Sequence, residues 1–230
     1  MRYRAIERLL PRFVSRHFLH FEASIEDAVS AFAQSLAPHA RVLDAGAGEM
    51  RHAPFFAGQR YVGVDLGVGD NAWDYGKLHA VADLHALPFP DGCFEAAISI
   101  VTLEHVRDPR AVLCEMARVL SPGARALLVV PHEWEVHQSP HDYFRYTRHA
   151  MEHLLAQAGF SSVSIEPVGG YFRLLARRSL NGLQFFPRLL FPFAALFFVP
   201  PAIVLPFFDS LDKARNFTLG YICTARKRST

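Results

Sequence analysis

The chain has 230 residues, 51% hydrophobic and 20% charged, enough apolar material for one α/β domain and too much for a disordered chain. Its net charge of +2 gives no case for nucleic acid as a partner. Three cysteines, Cys93, Cys114 and Cys223, with no CxxC spacing exclude a disulfide framework and a zinc site, and twelve histidines without an HExxH give no metal constellation, so no metal is expected.

Residues 1–18 carry Arg4, Arg8, Arg12 and Arg16 at a four-residue repeat, with Ile6, Leu9, Leu10, Phe13 and Val14 on other faces. This spacing predicts a basic amphipathic helix restarted at Pro11, and no signal peptide, because an apolar core and a small-residue cleavage site are missing. Residues 24–37 predict a second helix with Ser24 as its N-cap. The pattern then changes to short apolar strands at 41–46, 61–67, 93–101 and 124–131. Between the last two, DPRAVLCEMARVL (108–120) predicts a helix with Pro109 in its first turn and a Pro-Gly stop at 122–123. A further helix is predicted over 149–160, closed by Gly159, and two last strands over 161–172 and 217–227. Strands alternating with helices imply a parallel sheet with right-handed crossovers, and the last two strands suit an antiparallel hairpin at its edge.

VLDAGAGEM (42–50) reads as strand, glycine-rich turn, then helix, where Gly46 and Gly48 let the backbone approach a ligand. The dinucleotide fingerprint GxGxxG fails at Arg51, and no GxxxxGK[ST] is present. Asp44 ends the first strand, Asp65 ends the second, where an acid can accept from two ribose hydroxyls, and Asp83 precedes the LPF turn. Each acid has a plainer reading as a helix cap or a solvated loop acid.

The stretches VLDAGAGEM, YVGVDLG, ADLHALPFPDGCFEAAISIVTLEHVRDP and VLSPGARALLVVP, in this order over about residues 41–131, resemble the class I S-adenosylmethionine-dependent methyltransferases, in the branch called methyltransferase type 11. The resemblance implies a Rossmann-like fold: a seven-stranded, mostly parallel sheet with an antiparallel edge hairpin and helices on both faces. With no internal repeat and no linker in the sequence, one domain over 1–230 is expected, with N-terminal helices at 1–37, a core at 38–172 and 216–228, and a hydrophobic, Pro-rich insert at 173–215. The resemblance also implies S-adenosyl-L-methionine as cofactor. Asp44, Gly46 and Gly48 would face its methionine part and Asp65 with Leu66 its ribose. Asp83 and the backbone at Leu84 would read its adenine, and Thr102 would line the methyl-donor pocket. The chain departs from the family at Met50, where a third glycine is usual, and at Glu95, where Asp is common.

Candidate bases for an oxygen acceptor are His105, His132, His137 and His141, with Tyr146 beside them. Residues 132–146 gather polar and aromatic side chains just after a strand's C-terminal end, where open α/β sheets bind substrates. The plainer reading is a structural cap over the cofactor. Residues 183–208 are strongly apolar but hold five prolines, which rule out a regular straight helix and favour an interfacial or re-entrant hairpin flanked by Arg173, Arg177, Arg178, Arg188, Lys213 and Arg215. A homodimer interface or a lid would also explain the segment.

The expectation is a cytoplasmic transferase, peripheral on the inner face of the cytoplasmic membrane, that methylates a small or lipid-linked acceptor such as a glycan or lipid precursor. The alternative is a non-catalytic nucleoside-binding or assembly module that keeps the cofactor pocket.

Overall fold

Residues 12–69 and 73–229 are described by a computed structural model. By its contacts the chain divides into two compact units, one joining the chain up to Glu26 with Pro167–Gly220, the other comprising Asp27–Glu166 and Tyr221–Thr230. Arg4 and Arg8 of the proposed basic helix lie outside the described residues. Downstream, α1 (Arg12–Phe18) and α2 (His20–Gln34) meet at Leu19. Ser24 does not cap α2: it lies inside the helix, where its hydroxyl donates to the carbonyl of His20, 2.7 Å away, four residues back.

The strands are β1 (Arg41–Ala45), β2 (Arg60–Asp65), β3 (Ala80–Val81), β4 (Phe94–Ile100), β5 (Leu120–Pro131), β6 (Phe160–Val168) and β7 (Gly220–Lys227). They form one sheet in the order β3-β2-β1-β4-β5-β7-β6. The first five pair in parallel. Arg228 N–H donates to the carbonyl of Gly159 and Leu219 N–H to that of Val168, so β7 runs antiparallel to β6. At the other side of β7, Lys227 Nζ reaches the carbonyl of Leu120 while Tyr221 meets the ring of His132, again an antiparallel register. The Rossmann-like expectation therefore holds, edge hairpin included.

Burial on both faces explains the apolar runs. Ala96, Ala97 and Ile98 of β4 and Ala126, Leu128, Val129 and Val130 of β5 are 0% exposed. The helix α3 (Pro109–Val119) starts where Asp108 accepts from the N–H of Ala111 at 3.0 Å, with Pro109 in the first turn, and buries Val112, Leu113 and Met116. The helix α4 (Arg148–Gln157) is capped by Thr147, which accepts from Ala150 N–H. Gly159 closes it at φ +89°, a conformation that suits glycine.

In the other unit, α5 (Tyr171–Gly182) packs against α6 (Phe191–Val204) and the 3-10 stretch Leu205–Leu211. Asp209 accepts from the N–H groups of Gly170 and Arg173, and Asp212 from that of Tyr171, so the far end of the segment satisfies the first turn of α5. The prolines do not prevent a helix. Pro192 sits in the first turn, where a missing N–H is harmless, and α6 continues through Pro200 and Pro201. Those two remove the donors that would reach the carbonyls of Leu196 and Phe197, and Pro206 opens the tighter 3-10 continuation.

Candidate active site

The strand order reverses between β1 and β4, and the turns at the C-terminal ends of these two strands form the switch point at which open α/β sheets bind ligands. Gly46 (φ +91°) and Gly48 (φ +50°) turn the chain out of β1. A side chain on Gly46 would come within 2.2 Å of Thr102 Cγ2, and one on Gly48 within 3.2 Å of the Trp73 ring. Thr102 hydroxyl donates to the carbonyls of Gly46 and Ile100, at 3.3 and 3.2 Å, and so ties the two turns together. Val101 beside it has φ +52°, a costly conformation for a β-branched residue of the kind concentrated at functional turns. Met50, where the family keeps glycine, also has φ +61°, so the position still demands the left-handed conformation. Its sulfur lies over Gly63 of β2, where a Cβ would be 2.1 Å away.

The expected helix after this turn is absent. In its place stands the short 3-10 turn Ala53–Phe56. The turn's N–H groups are already used: those of Gly46 and Ala47 donate to the carbonyl of Val64, and that of Gly48 to Asp65 Oδ2 at 3.0 Å. A phosphate cradle at a helix N-terminus is not built here.

Asp65 Oδ1 accepts from Gly67 N–H at 2.8 Å. An ionised carboxylate has about four acceptor positions, so two remain for a pair of hydroxyls. Leu66 beside it is 48% exposed. Asp83 accepts from the backbone N–H and the ring of His85, contacts that hold its carboxyl below the usual range, and it stays largely exposed. The Leu84 side chain enters the core, so only its backbone can face a ligand.

Asp44 is fully buried and accepts a short hydrogen bond from the Tyr61 hydroxyl. Burial pushes its carboxyl up to about 7, with the Asp65 charge adding to the effect and the Tyr61 bond opposing it. Its second oxygen, Oδ1, is buried without a hydrogen-bond partner among the described residues. A buried acceptor left open is a place for a ligand's donor, and an ammonium group suits it.

The loop after β5 is pinned to the 3-10 turn Leu103–His105 that follows β4. Tyr143 N–H donates to the carbonyl of Glu104, and the buried Tyr146 hydroxyl to that of Leu103 at 2.7 Å. His132 Nδ1 donates to the carbonyl of Tyr146 at 2.7 Å, which leaves its Nε2 with the lone pair. Arg145 grips both oxygens of Asp142, at 2.6 and 2.8 Å, and the carbonyls of Trp134, Phe144 and Glu135. That guanidinium holds the Asp142 carboxyl down at about 2. His141 is partly exposed beside the Tyr143 hydroxyl. Tyr146 corrects the sequence reading, because burial raises its phenol far above the ordinary value and its hydroxyl is occupied; it positions the loop and offers no base. Glu104, His105 and His137 converge: their ligand atoms all lie within 4.8 Å of one another.

Residues 43–128, which hold most of this geometry, match the family described as a methyltransferase domain. The chain carries a class I S-adenosylmethionine-dependent methyltransferase domain. It is 33% identical over 106 residues to the O-methyltransferase cnsE of Penicillium expansum, covering 40% of this chain and 37% of that protein. It is 29% identical over 133 residues to the tRNA (carboxymethyluridine(34)-5-O)-methyltransferase of Arabidopsis thaliana, covering 56% and 32%. The matches span between 14 and 45% of the length of the curated relatives. In fold it is similar to phosphoethanolamine N-methyltransferase 2 of Haemonchus contortus in complex with S-adenosyl-L-methionine, with TM-score 0.58 and 18% identity over 89% of this chain and 52% of that one. It is also similar to the 1,6-didemethyltoxoflavin-N1-methyltransferase of Burkholderia thailandensis, with TM-score 0.56 and 20% identity over 98% and 89%.

S-adenosylmethionine fits the residues of this methyltransferase domain. The open Asp44 oxygen suits its ammonium, the two free positions on Asp65 suit its ribose hydroxyls, and the spent turn N–H groups suit a ligand without phosphate. Three neighbours escaped the sequence reading. Tyr61 is a polar residue in an apolar strand and became meaningful only opposite Asp44, while Trp73 and Tyr75 lie beyond β2 in a stretch without a motif.

The raised Asp44 carboxyl gives a pH prediction. It stays protonated in the free protein up to about 7 and must ionise to face an ammonium, so binding expels a proton below that pH. Affinity for S-adenosylmethionine is expected to rise with pH from about 5 to about 7, by up to about tenfold per unit, and to level off above. Asp44→Asn should flatten the profile. Titration calorimetry in buffers of different ionisation enthalpy measures the proton released, and a wild-type affinity independent of pH contradicts the assignment.

Proposed function

We propose that this protein transfers a methyl group from S-adenosylmethionine to a small or lipid-linked acceptor, a glycan or lipid precursor, while seated on a membrane surface in the cytoplasm. The observation that carries the surface part is the side-chain exposure of the unit containing Pro167–Gly220. Phe185, Leu189, Phe193, Leu196, Phe197 and Phe207 are each between 71 and 84% exposed. Exposed apolar surface on this scale marks a partner. The stretch Phe191–Leu211, 21 residues, is long and apolar enough to cross a membrane by length and composition. A single crossing, however, would separate β6 from β7, which are neighbours in one sheet, so an interfacial seat is the better reading. Arginines flanking such a segment gain about 1 kcal/mol each near anionic headgroups.

Bound at Asp44 and Asp65, the cofactor supplies a methyl group already activated on a sulfonium. The protein's part is to hold the acceptor beside it, which can supply roughly 7–11 kcal/mol of the barrier, and to take a proton from an oxygen acceptor. His132 and His141 would serve that second task, on a loop that Arg145 and Tyr146 tie to its surroundings. The relatives' names include O- and N-methylation and both small-molecule and tRNA acceptors, so the acceptor class here rests on the apolar surface.

A second reading keeps the pocket without methyl transfer. Its support is a fold neighbour that is a [4+2]-cyclase, SpnF, with TM-score 0.59 and 21% identity over 90% of this chain and 82% of that one. One experiment separates the two. The protein is floated with anionic liposomes made from total lipid extract and given methyl-labelled S-adenosylmethionine. Transfer predicts label in the lipid or glycolipid fraction. Liposome binding and cofactor binding without any labelled product would support the second reading, and a soluble monomer that ignores liposomes would remove the membrane from the account.

A further inference from the structure

We propose that Glu104, His105 and His137 form a binding site for a divalent transition-metal cation of the zinc type. No residue spacing displays it, because Glu104 and His105 follow β4 while His137 stands on the loop after β5. Folding brings them together, with their ligand atoms within 4.8 Å of one another and the two imidazole rings at 4.8 Å between centroids.

The state of the polar atoms argues for an ion. Glu104 is 0% exposed, and neither carboxylate oxygen has a hydrogen-bond partner among the described residues. His105 Nε2 is also buried without one, 3.7 Å from Glu104 Oε1. Three neighbouring buried acceptors without partners are costly, and a bound ion is one of the few things that explains such a group.

The donor set is chemically consistent. His105 Nδ1 donates to the carbonyl of His141, which leaves the lone pair on Nε2, the atom beside Glu104. His137 Nδ1 lies 3.1 Å from the carbonyl of Glu135, which accepts from it and leaves its Nε2 free to ligate. A second bond of this kind fixes the tautomer and orientation of a ligating histidine. The His137 amide donates to Asp142, itself clamped by Arg145, so the loop holding the third ligand is braced. Two neutral imidazoles and one carboxylate suit zinc or a neighbouring first-row cation, whereas magnesium and calcium prefer oxygen throughout.

Bonds of about 2.0–2.2 Å in a tetrahedral arrangement would bring donors to roughly 3.3–3.6 Å of one another. The Glu104–His105 pair is already near that, and His137, on a loop and about a quarter exposed, can make up the remainder. Three protein ligands leave a fourth position open for water or an oxygen of an acceptor. The site lies two residues beyond Thr102, so it adjoins the methyl-donor turn. The proposal rests on these three side chains and not on the identity of the acceptor.

The test uses the full chain, stripped with a chelator and titrated with zinc alone by calorimetry, then with cobalt to record the visible spectrum of the bound ion. The expected result is one equivalent of zinc, a tetrahedral cobalt spectrum and a raised melting temperature. Glu104→Gln and His137→Ala should each weaken binding by about 100-fold or more, at or beyond the 10–100-fold loss typical of disturbing even a supporting residue. His137→Ala alters a partly exposed loop residue and tests the site even if Glu104→Gln disturbs the core. His149→Ala, at an exposed position of α4, should bind as the wild type does. No stoichiometric binding, or binding unchanged in both ligand variants, overturns the site.

Discussion

Gly46→Ala is expected to abolish cofactor binding. At φ +91° an alanine is strained by about 1–3 kcal/mol before any contact is considered. Its Cβ would then lie 2.2 Å from Thr102 Cγ2, 2.3 Å from Oγ1 and 2.8 Å from Cβ. Thr102 cannot simply swing away, because its hydroxyl is bonded to two carbonyls and its backbone follows the strained Val101. The turn must therefore open, and with it the spacing between Asp44 and Asp65, which depends on Gly48 N–H reaching the Asp65 carboxylate. A loss of at least two powers of ten in affinity for S-adenosylhomocysteine is expected, about 3 kcal/mol or more. Thr102→Ala, which removes two of the three clashing atoms, should restore part of the binding when added to Gly46→Ala. A Gly46→Ala protein that binds within about threefold of wild type would show that the turn does not carry the site.

The second large effect is expected on the apolar surface. Phe193 and Phe197 lie one helical turn apart on α6, at 71 and 73% exposure, so both face away from the packed interior. Phe198, its neighbour in the chain, is half-buried against Phe186 and would disturb the unit if changed. Each exposed phenylalanine moved from water into an interface contributes about 1.5–3 kcal/mol. Phe193→Ser/Phe197→Ser should therefore weaken binding to anionic liposomes by roughly two to four powers of ten with no loss of cofactor affinity. Salt should weaken the wild type further, through the arginine contribution. If the surface instead joins two copies, the wild type will scatter light as a dimer, ignore liposomes and become monomeric in the double variant.

How far these features were legible differs from region to region. The β1 turn and the acid ending β2 announce themselves, because close backbone approach needs glycine and hydroxyl recognition needs an acid, and both requirements are local; Thr102 after β4 is marked only by the family resemblance. The same holds for Asp108 with Pro109 and for Gly159, whose roles are set within a few residues. What depended on distant partners was hidden. Ser24 has the composition of a cap, but the chain before it is already helical. Pro200 and Pro201 argue against a helix, yet α6 forms because α5 and the stretch after it pack against it. The cap of α5 comes from Asp209 and Asp212, some forty residues later in the chain. The histidine-rich loop was visible as an unusual density, but not its division of labour. Tyr146 and Arg145 hold it, while His137 joins Glu104 and His105 in a cluster that no sequence spacing displays.

The central claim is that the turns after β1, β2 and β4 hold S-adenosylmethionine. Calorimetric titration of the wild-type chain and of Asp65→Ala with S-adenosylhomocysteine and with NAD tests it most directly. The account predicts micromolar binding of S-adenosylhomocysteine, none of NAD, and a loss of about 1.5–3 kcal/mol in Asp65→Ala, the size expected when hydrogen bonds to a charged group are removed. A folded wild-type protein that binds NAD in preference, or binds neither ligand, would contradict it.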